Sequence, residues 1–301
     1  MALACRPRKS HAFPWTRHSG RQPPKDVAMA VLRILVDNQS ARADMPFEHG
    51  WSVWVELGRQ QAWLWDAGQT ELFAQNAGVL GIDPTRAIGV ALSHGHHDHA
   101  GGLPTLLSLG YAGPVVGHPG ILTRRYSRRG GTTFRSVGMG DGRLPDPLPG
   151  FVPETGVRVL APGLTFVAGI PRRPGNYQAT EHLFRDTAGQ QPDAVPDDAC
   201  LVIEGKKGPA VLLGCCHAGL ANTLAHVRQV LELDTIATVI GGLHLAGAPQ
   251  EAVAETAAAL ATAGVSAVHP GHCTGQDALK ALADRFPGRL APTGCGQSLT
   301  V

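Results

Sequence analysis

Within Ser93–Leu103, S-H-G-H-H-D-H-A-G-G-L, four side chains of metal-ligand type, His94, His96, Asp98 and His99, fall inside six consecutive positions. Imidazole nitrogen and carboxylate oxygen suit zinc, iron or manganese, and catalytic sites use few protein ligands so that a coordination position stays open. Crowding of this kind favours a pair of ions. A divalent ion lowers the pKa of its bound water from about 15.7 toward 7, and a pair about 3.5–4 Å apart also holds the leaving oxygen. The expected chemistry is hydrolysis by metal-bound hydroxide, with Asp98 both ligating and orienting the water.

The flanking residues explain how so tight a cluster is presented. Ala87–Leu92 reads as a short buried strand, and Gly101-Gly102-Leu103-Pro104 opens a helix through Leu109. The ligands therefore occupy a strand-to-helix loop, where successive side chains can turn toward two different points. His217 repeats the arrangement after the buried run Ala210–Leu213, and so does His272 after Val265–Val268. Strand-end placement brings such side chains to one edge of a layered fold. His244, in Gly-Gly-Leu-His-Leu, has a similar position and is read either as a ligand or as a hydrogen-bond donor in catalysis.

The pattern His94-x-His96-x-Asp98-His99 resembles the signature of the metallo-β-lactamase-fold superfamily of hydrolases. Further runs carry a finer likeness: Leu35-Val36-Asp37-Asn38, Glu48-His49-Gly50-Trp51-Ser52, Leu64-Trp65-Asp66-Ala67-Gly68-Gln69, Gly214-Cys215-Cys216-His217-Ala218-Gly219, Gly241-Gly242-Leu243-His244-Leu245 and Gly271-His272-Cys273-Thr274-Gly275. Together they are similar to the branch containing the archaeal dihydropterin ribofuranosylaminobenzene-phosphate synthases and bacterial metal-dependent hydrolases. The resemblance covers the chain from about residue 31 onward. It implies a four-layer αββα sandwich, where pattern alone gives α/β or α+β. It also implies His94, His96, Asp98, His99, His217 and His272 as ligands of two divalent ions, zinc foremost with Mn²⁺ or Fe²⁺ as alternatives. Glu48 and His49 are placed near the site by the resemblance only, His49 as an expected substrate contact.

One departure bears on charge. Many superfamily hydrolases bridge their metals with an aspartate after the strand that here ends at Gly214, and this chain has Cys215-Cys216-His217 there. Asp98 is then the one evident carboxylate ligand, leaving excess positive charge that favours a small anionic substrate. Cys216 is read as a buried neutral thiol or as a thiolate bridge. Asp66, at a strand end, is expected to hold a ligand imidazole in one tautomer. For Asp197-Asp198 a loop or strand-start role is expected.

The remaining elements follow from periodicity. Val31–Val36, Trp51–Leu57 and Ala62–Trp65 read as strands, followed by a helix near Glu71–Leu80. The second half alternates strands at 199–204, 210–213, 235–240 and 265–268 with helices at 222–233, 250–263 and 277–286. Between His118 and Pro196 the pattern degrades into a Gly-, Pro- and Arg-rich insert, the expected lid. Its clusters Arg124-Arg125-Tyr126-Ser127-Arg128-Arg129 and Pro171-Arg172-Arg173-Pro174 are either a solvated face or an anion grip, with Arg172 and Arg173 the expected substrate contacts.

Composition excludes several other classes. The 301 residues are 43% hydrophobic and 17% charged, enough for one large core. No apolar stretch approaches the roughly 20 residues of a membrane span. Residues 1–28 hold six basic residues against Asp26; the rest of the chain has 20 basic and 23 acidic residues, so the net +2 belongs to the tail and argues nothing for nucleic-acid binding. That tail reads as a disordered extension, as sequence upstream of a start at Met29, or as an organellar presequence, and residues 31–301 as a single domain. Six cysteines without a C-x-x-C pair suggest a reducing, cytoplasmic compartment. No G-x-S-x-G or P-loop occurs. The oligomeric state is left open. The function expected is metal-dependent hydrolysis of an ester, phosphoester or lactone-like bond, with a pterin-pathway transferase as the alternative.

Overall fold

β-Branched and aromatic residues dominate the apolar runs, and a strand built from them has two faces to cover. The computed structural model describes residues 29–58, 61–128 and 130–301. Its first half runs β1 (Ala30–Val36), β2 (Ser52–Leu57), β3 (Ala62–Trp65), α1 (Leu72–Val79), β4 (Gly89–Ala91), α2 (His97–Ala100), α3 (Leu103–Ser108) and β5 (Val115–Gly117). Then come β6 (Tyr126–Arg128), β7 (Phe134–Ser136), β8 (Phe151–Pro153), β9 (Val157–Ala161), β10 (Leu164–Val167) and β11 (Leu183–Phe184). The chain finishes with β12 (Cys200–Ile203), β13 (Ala210–Leu213), α4 (Leu220–Val230), β14 (Thr238–Gly242), α5 (Gln250–Thr262), β15 (Ala267–Gly271), α6 (Gln276–Arg285) and β16 (Ser298–Thr300).

Two large sheets result, one ordered β16-β1-β2-β3-β4-β5-β8 and the other β15-β14-β13-β12-β10-β9. Alternation along each strand sorts the side chains into three cores. Leu201 and Ile203 of β12 and Leu212 of β13 meet Leu32, Ile34, Val53, Val55 and Trp65 between the sheets. Their neighbours Val202, Val211 and Leu213 point outward to Leu224, Val227, Leu260 and Leu282 of the second-half helices. Leu64, Val90 and Leu92 cover the other outer face with Phe73, Leu103 and Leu106. Three apolar seams between four layers make the αββα sandwich expected from the resemblance.

The parallel pairs β3–β4 and β4–β5 in one sheet, and β13–β14 and β14–β15 in the other, end at the same edge of the sandwich. Ligands of open parallel sheets collect at the carboxyl ends of strands. Every predicted ligand follows one of these ends.

The insert at 118–196 is more regular than its composition suggests. β8 extends the first sheet, β9 and β10 extend the second, and β11-β6-β7 form a separate small sheet beside the site. Short strands interrupted by Gly and Pro lack the length that periodicity needs. Strand and helix ends also differ by a few residues: the expected strand at 265–268 is Ala267–Gly271, and the expected helix at 222–233 is Leu220–Val230. The tail reading falls on residues 1–28, outside the described residues. Among the described residues no helix is long and apolar enough to cross a membrane.

Candidate metal centre

β4 delivers Ser93 and His94 to the sandwich edge, and the chain then turns at Gly95 into α2, which carries Asp98 and His99. Gly95 is required there, because a Cβ would lie 2.1 Å from the carbonyl oxygen of Ile121. Its N–H donates to Asp197 Oδ2 at 2.7 Å. Asp197 is held in turn by the buried Arg125, whose Nη1 donates to the same carboxylate at 2.9 Å while its Nε donates to Asp193 at 2.6 Å. Four residues at the site, Asp66, Cys216, His244 and His272, have φ between 48° and 62°. Such left-handed backbone costs about 1–3 kcal/mol per non-glycine residue and persists where surrounding structure enforces it.

Two ligand sets form at this edge. Atoms of His94, His96 and His217 lie within 4.8 Å of one another, as do atoms of Asp98, His99, Cys215 and His272. All seven residues are buried. The cluster at 94–99 thus divides between two points, and the distant His217 and His272 fall one to each set.

The positions of protons decide whether these residues fit cations. His99 Nδ1 donates to Asp66 at 2.7 Å and His272 Nδ1 donates to the Asn38 side-chain oxygen at 2.9 Å. The Nε2 atoms of the two rings therefore face each other across 3.1 Å, with the Cys215 sulfur 3.1 Å from His99 Nε2. A proton or a cation must lie among them. In the other set the Ser93 hydroxyl donates to Asp66, so it accepts from His94 Nδ1 at 2.9 Å and leaves His94 Nε2 bare, 3.0 Å from His96 Nδ1. His217 Nδ1 donates to Ala179 O at 2.8 Å, and its buried Nε2 has no partner. The donor set of imidazoles, one carboxylate and one thiol fits two divalent transition-metal ions.

Electrostatics agree with that fit. Burial, reinforced by neighbouring imidazoles, holds His94 and His217 well below the ordinary histidine pKa, so both rings are neutral. Burial opposes ionisation of Asp98, yet His99, His272 and His49 overcome it and hold the carboxyl well below its usual range. Burial also opposes protonation of His99, but Asp66 and Asp98 outweigh it and push the ring up to about 9.

Around the ligands, Asp37 accepts from the His272 backbone N–H at 2.8 Å and from the Thr293 hydroxyl at 2.6 Å. The Asn38 amide donates to His49 Nδ1 at 3.0 Å, which directs His49 Nε2 toward Asp98 Oδ2 at 3.1 Å. Asp198 accepts from Ala218 N at 2.6 Å, beside His217, and burial pushes its carboxyl up to about 6. Above the ligands opens a cavity of about 760 Å³, lined among others by His49, Gln69, Arg135, Leu183, His244 and Cys273.

A model of the metallo-beta-lactamase superfamily matches residues 45–272. The chain belongs to the metallo-β-lactamase superfamily. A solved structure described as a metal-dependent hydrolase of the beta-lactamase superfamily is similar at TM-score 0.77 and 29% identity, covering 91% of this chain and 99% of that one. The superfamily protein YhfI from Bacillus subtilis shares the fold at TM-score 0.56 and 12% identity, over 91% of this chain and 100% of its own. In sequence, the chain is 27% identical over 253 residues to the 7,8-dihydropterin-6-methyl-4-(beta-D-ribofuranosyl)-aminobenzene-5'-phosphate synthase of Methanocaldococcus jannaschii, covering 79% of this chain and 85% of the synthase.

Several expectations for this superfamily member change. Arg172 donates to Val195 O at 2.6 Å and Arg173 is exposed at another surface groove; neither lines the cavity, where Arg135 of β7 stands instead. Arg125 belongs neither to a solvated face nor to an anion grip, being buried in its ion pairs. Arg129 lies outside the described residues. Glu48 accepts from Gln69 N and Thr70 N, bracing the loop after β3. Of the vicinal cysteines Cys216 packs in the outer apolar seam and Cys215 faces the ligands. Sequence reasoning missed Cys215, Cys273 and Arg135, and gave Arg125 a different role. The paired Cys-His runs at 215–217 and 272–273 were a signal for the thiols; nothing local marked Arg135.

Proposed function

We propose that the protein is a hydrolase that binds two divalent transition-metal ions and cleaves an ester, phosphoester or lactone-like bond in a small anionic substrate. The observation that carries this reading is the convergence of two adjacent ligand sets on the floor of one cavity. His94, His96 and His217 would hold one ion, and Asp98, His99, His272 and Cys215 the other, with zinc the first choice for imidazole and thiolate and Mn²⁺ or Fe²⁺ the alternatives. When bound, such ions act as Lewis acids that polarise a carbonyl or phosphoryl oxygen and make water acidic enough to attack near neutrality.

The chain's own groups supply the rest. Asp98 Oδ2, which accepts from His49 Nε2–H at 3.1 Å, would orient the attacking water. His244, seated against His217 with ring centroids 4.4 Å apart, stands where a leaving group would need a donor. Arg135, at the cavity rim, offers a guanidinium to a carboxylate or phosphate. The cavity volume is in the range of small-molecule sites.

Elemental analysis of purified protein, joined to a metal-loaded screen of phosphoesters, thioesters, lactones and β-lactams, tests the reading. Two ions per chain and turnover in one class are expected. Metal-free protein that takes up no ion on reconstitution overturns it. A transferase reading is favoured by the archaeal synthase relative. Incubation with a dihydropterin and a ribofuranosyl-aminobenzene phosphate precursor separates the two, since a joined product detected by mass, without hydrolysis of the screened substrates, selects the transferase.

A further inference from the structure

The ends of β13, β14 and β15 place three more ligand atoms together. Cys215, His244 and Cys273 each lie two residues beyond the last residue of their strand, and the strands are paired in parallel. The two sulfurs and an imidazole nitrogen of His244 lie within 4.8 Å of one another. Both cysteines are free thiols. All three residues line the cavity, so an ion reaches them from solvent.

Cys273 hydrogen-bonds both Cys215 and His244 here, and two observations point to a ligand among the three. Nδ1 of His244 is buried without a hydrogen-bond partner. Gly242, directly before this group, has no side chain where one would interfere, as a Cβ there would stand 2.6 Å from Cys273 Sγ and 3.3 Å from Cys215 Cα. His244 also keeps the left-handed φ of 48° that turns its ring inward. Two sulfurs and one imidazole, with no oxygen ligand, make a soft donor set.

We propose that Cys215, His244 and Cys273 form a site for a thiophilic cation such as Cd²⁺ or Cu(I), distinct from the histidine-rich sets but sharing Cys215 with one of them. A soft ion held there draws the Cys215 sulfur away from Asp98, His99 and His272. Thiophilic metals then compete with the second ion through a single shared atom, while the set of His94, His96 and His217 keeps its ion.

Cd²⁺ titration of the metal-loaded protein under argon, with a phosphine reductant present, tests this. Two readouts are followed: sulfur-to-cadmium charge-transfer absorption, and the cadmium and native-metal content after dialysis. Wild type is expected to show absorption from two thiolates and to retain Cd²⁺. Cys273→Ser should lose one thiolate contribution and weaken Cd²⁺ binding by more than the roughly 10–100-fold that loss of an outer-sphere partner costs. His244→Gln, which leaves both thiols in place, should weaken retention while keeping the absorption. Unchanged absorption and affinity in Cys273→Ser, or in His244→Gln should the first variant fail to fold, overturns the site. Because cadmium is read directly, the outcome does not depend on whether the protein is a hydrolase.

Discussion

Asp66 Oδ2 accepts a hydrogen bond from His99 Nδ1 at 2.7 Å, with both side chains fully buried. The same carboxylate accepts from the Ser93 hydroxyl and the Ser93 N–H, each at 2.7 Å. One residue at the end of β3 thus sets the tautomer of His99 directly and that of His94 through Ser93, so it acts on both ligand sets.

Asp66→Asn removes an acceptor from His99 Nδ1 and lets the ring present the wrong nitrogen. Metal affinity is expected to fall by about 10–100-fold, the usual cost of an outer-sphere partner. Competition with a chelator, read by elemental analysis, measures it. Wild-type affinity in this variant would show that the tautomer is set elsewhere.

Arg125→Ala leaves Asp193 and Asp197 as buried carboxylates without their cation. Loss of one partner from such a pair costs about 3–5 kcal/mol, so the urea midpoint should drop substantially. Metal content should fall with it, because Asp197 no longer fixes the Gly95 N–H between His94 and His96. A loss below about 1 kcal/mol, the level of a surface pair, contradicts the assignment.

Metal uptake should release protons. His99 is pushed up from 6.5 to about 9 in the metal-free protein, since Asp66 and Asp98 outweigh its burial. A raised histidine pKa stabilises the folded metal-free protein fully below pH about 6.5, and that contribution is lost as pH rises through about 9. An ion needs the lone pair that this proton occupies, so metal affinity changes in the opposite sense and climbs over the same window. Calorimetry in buffers of differing ionisation enthalpy, at about pH 7.5, should find close to two protons released as the second set fills, one from His99 and one from the Cys215 thiol, which burial keeps protonated. Release of a single proton would show that His99 is already neutral.

Arg135→Ala should raise KM for anionic substrates by up to about tenfold, and competitive inhibition by inorganic phosphate should weaken in parallel, because an exposed guanidinium contributes at most a charge-assisted hydrogen bond. Arg173→Ala should leave both unchanged. Matched neutral and anionic substrates at two salt concentrations give the comparison. Equal kcat/KM for the pair, insensitive to salt, would remove Arg135 from substrate recognition.

The residues His94, His96, Asp98 and His99 were legible in the sequence because six positions on one strand-to-helix loop cannot separate far in space. The strands and the alternating second half were legible for a related reason, since burial on two faces imposes periodicity on local sequence. What tertiary structure alone decided is partnership. His99 meets His272 across 173 positions and Arg125 meets Asp197 across 72, and no local pattern encodes which strand ends share an edge. The vicinal cysteines show the limit most directly: the left-handed φ of 62° at Cys216 turns two adjacent thiols to opposite sides, one into the apolar seam and one toward the ligands. Residue type marked the chemistry. Backbone direction at the strand ends, set by the packing of the two sheets, determined which of those residues can take part in it.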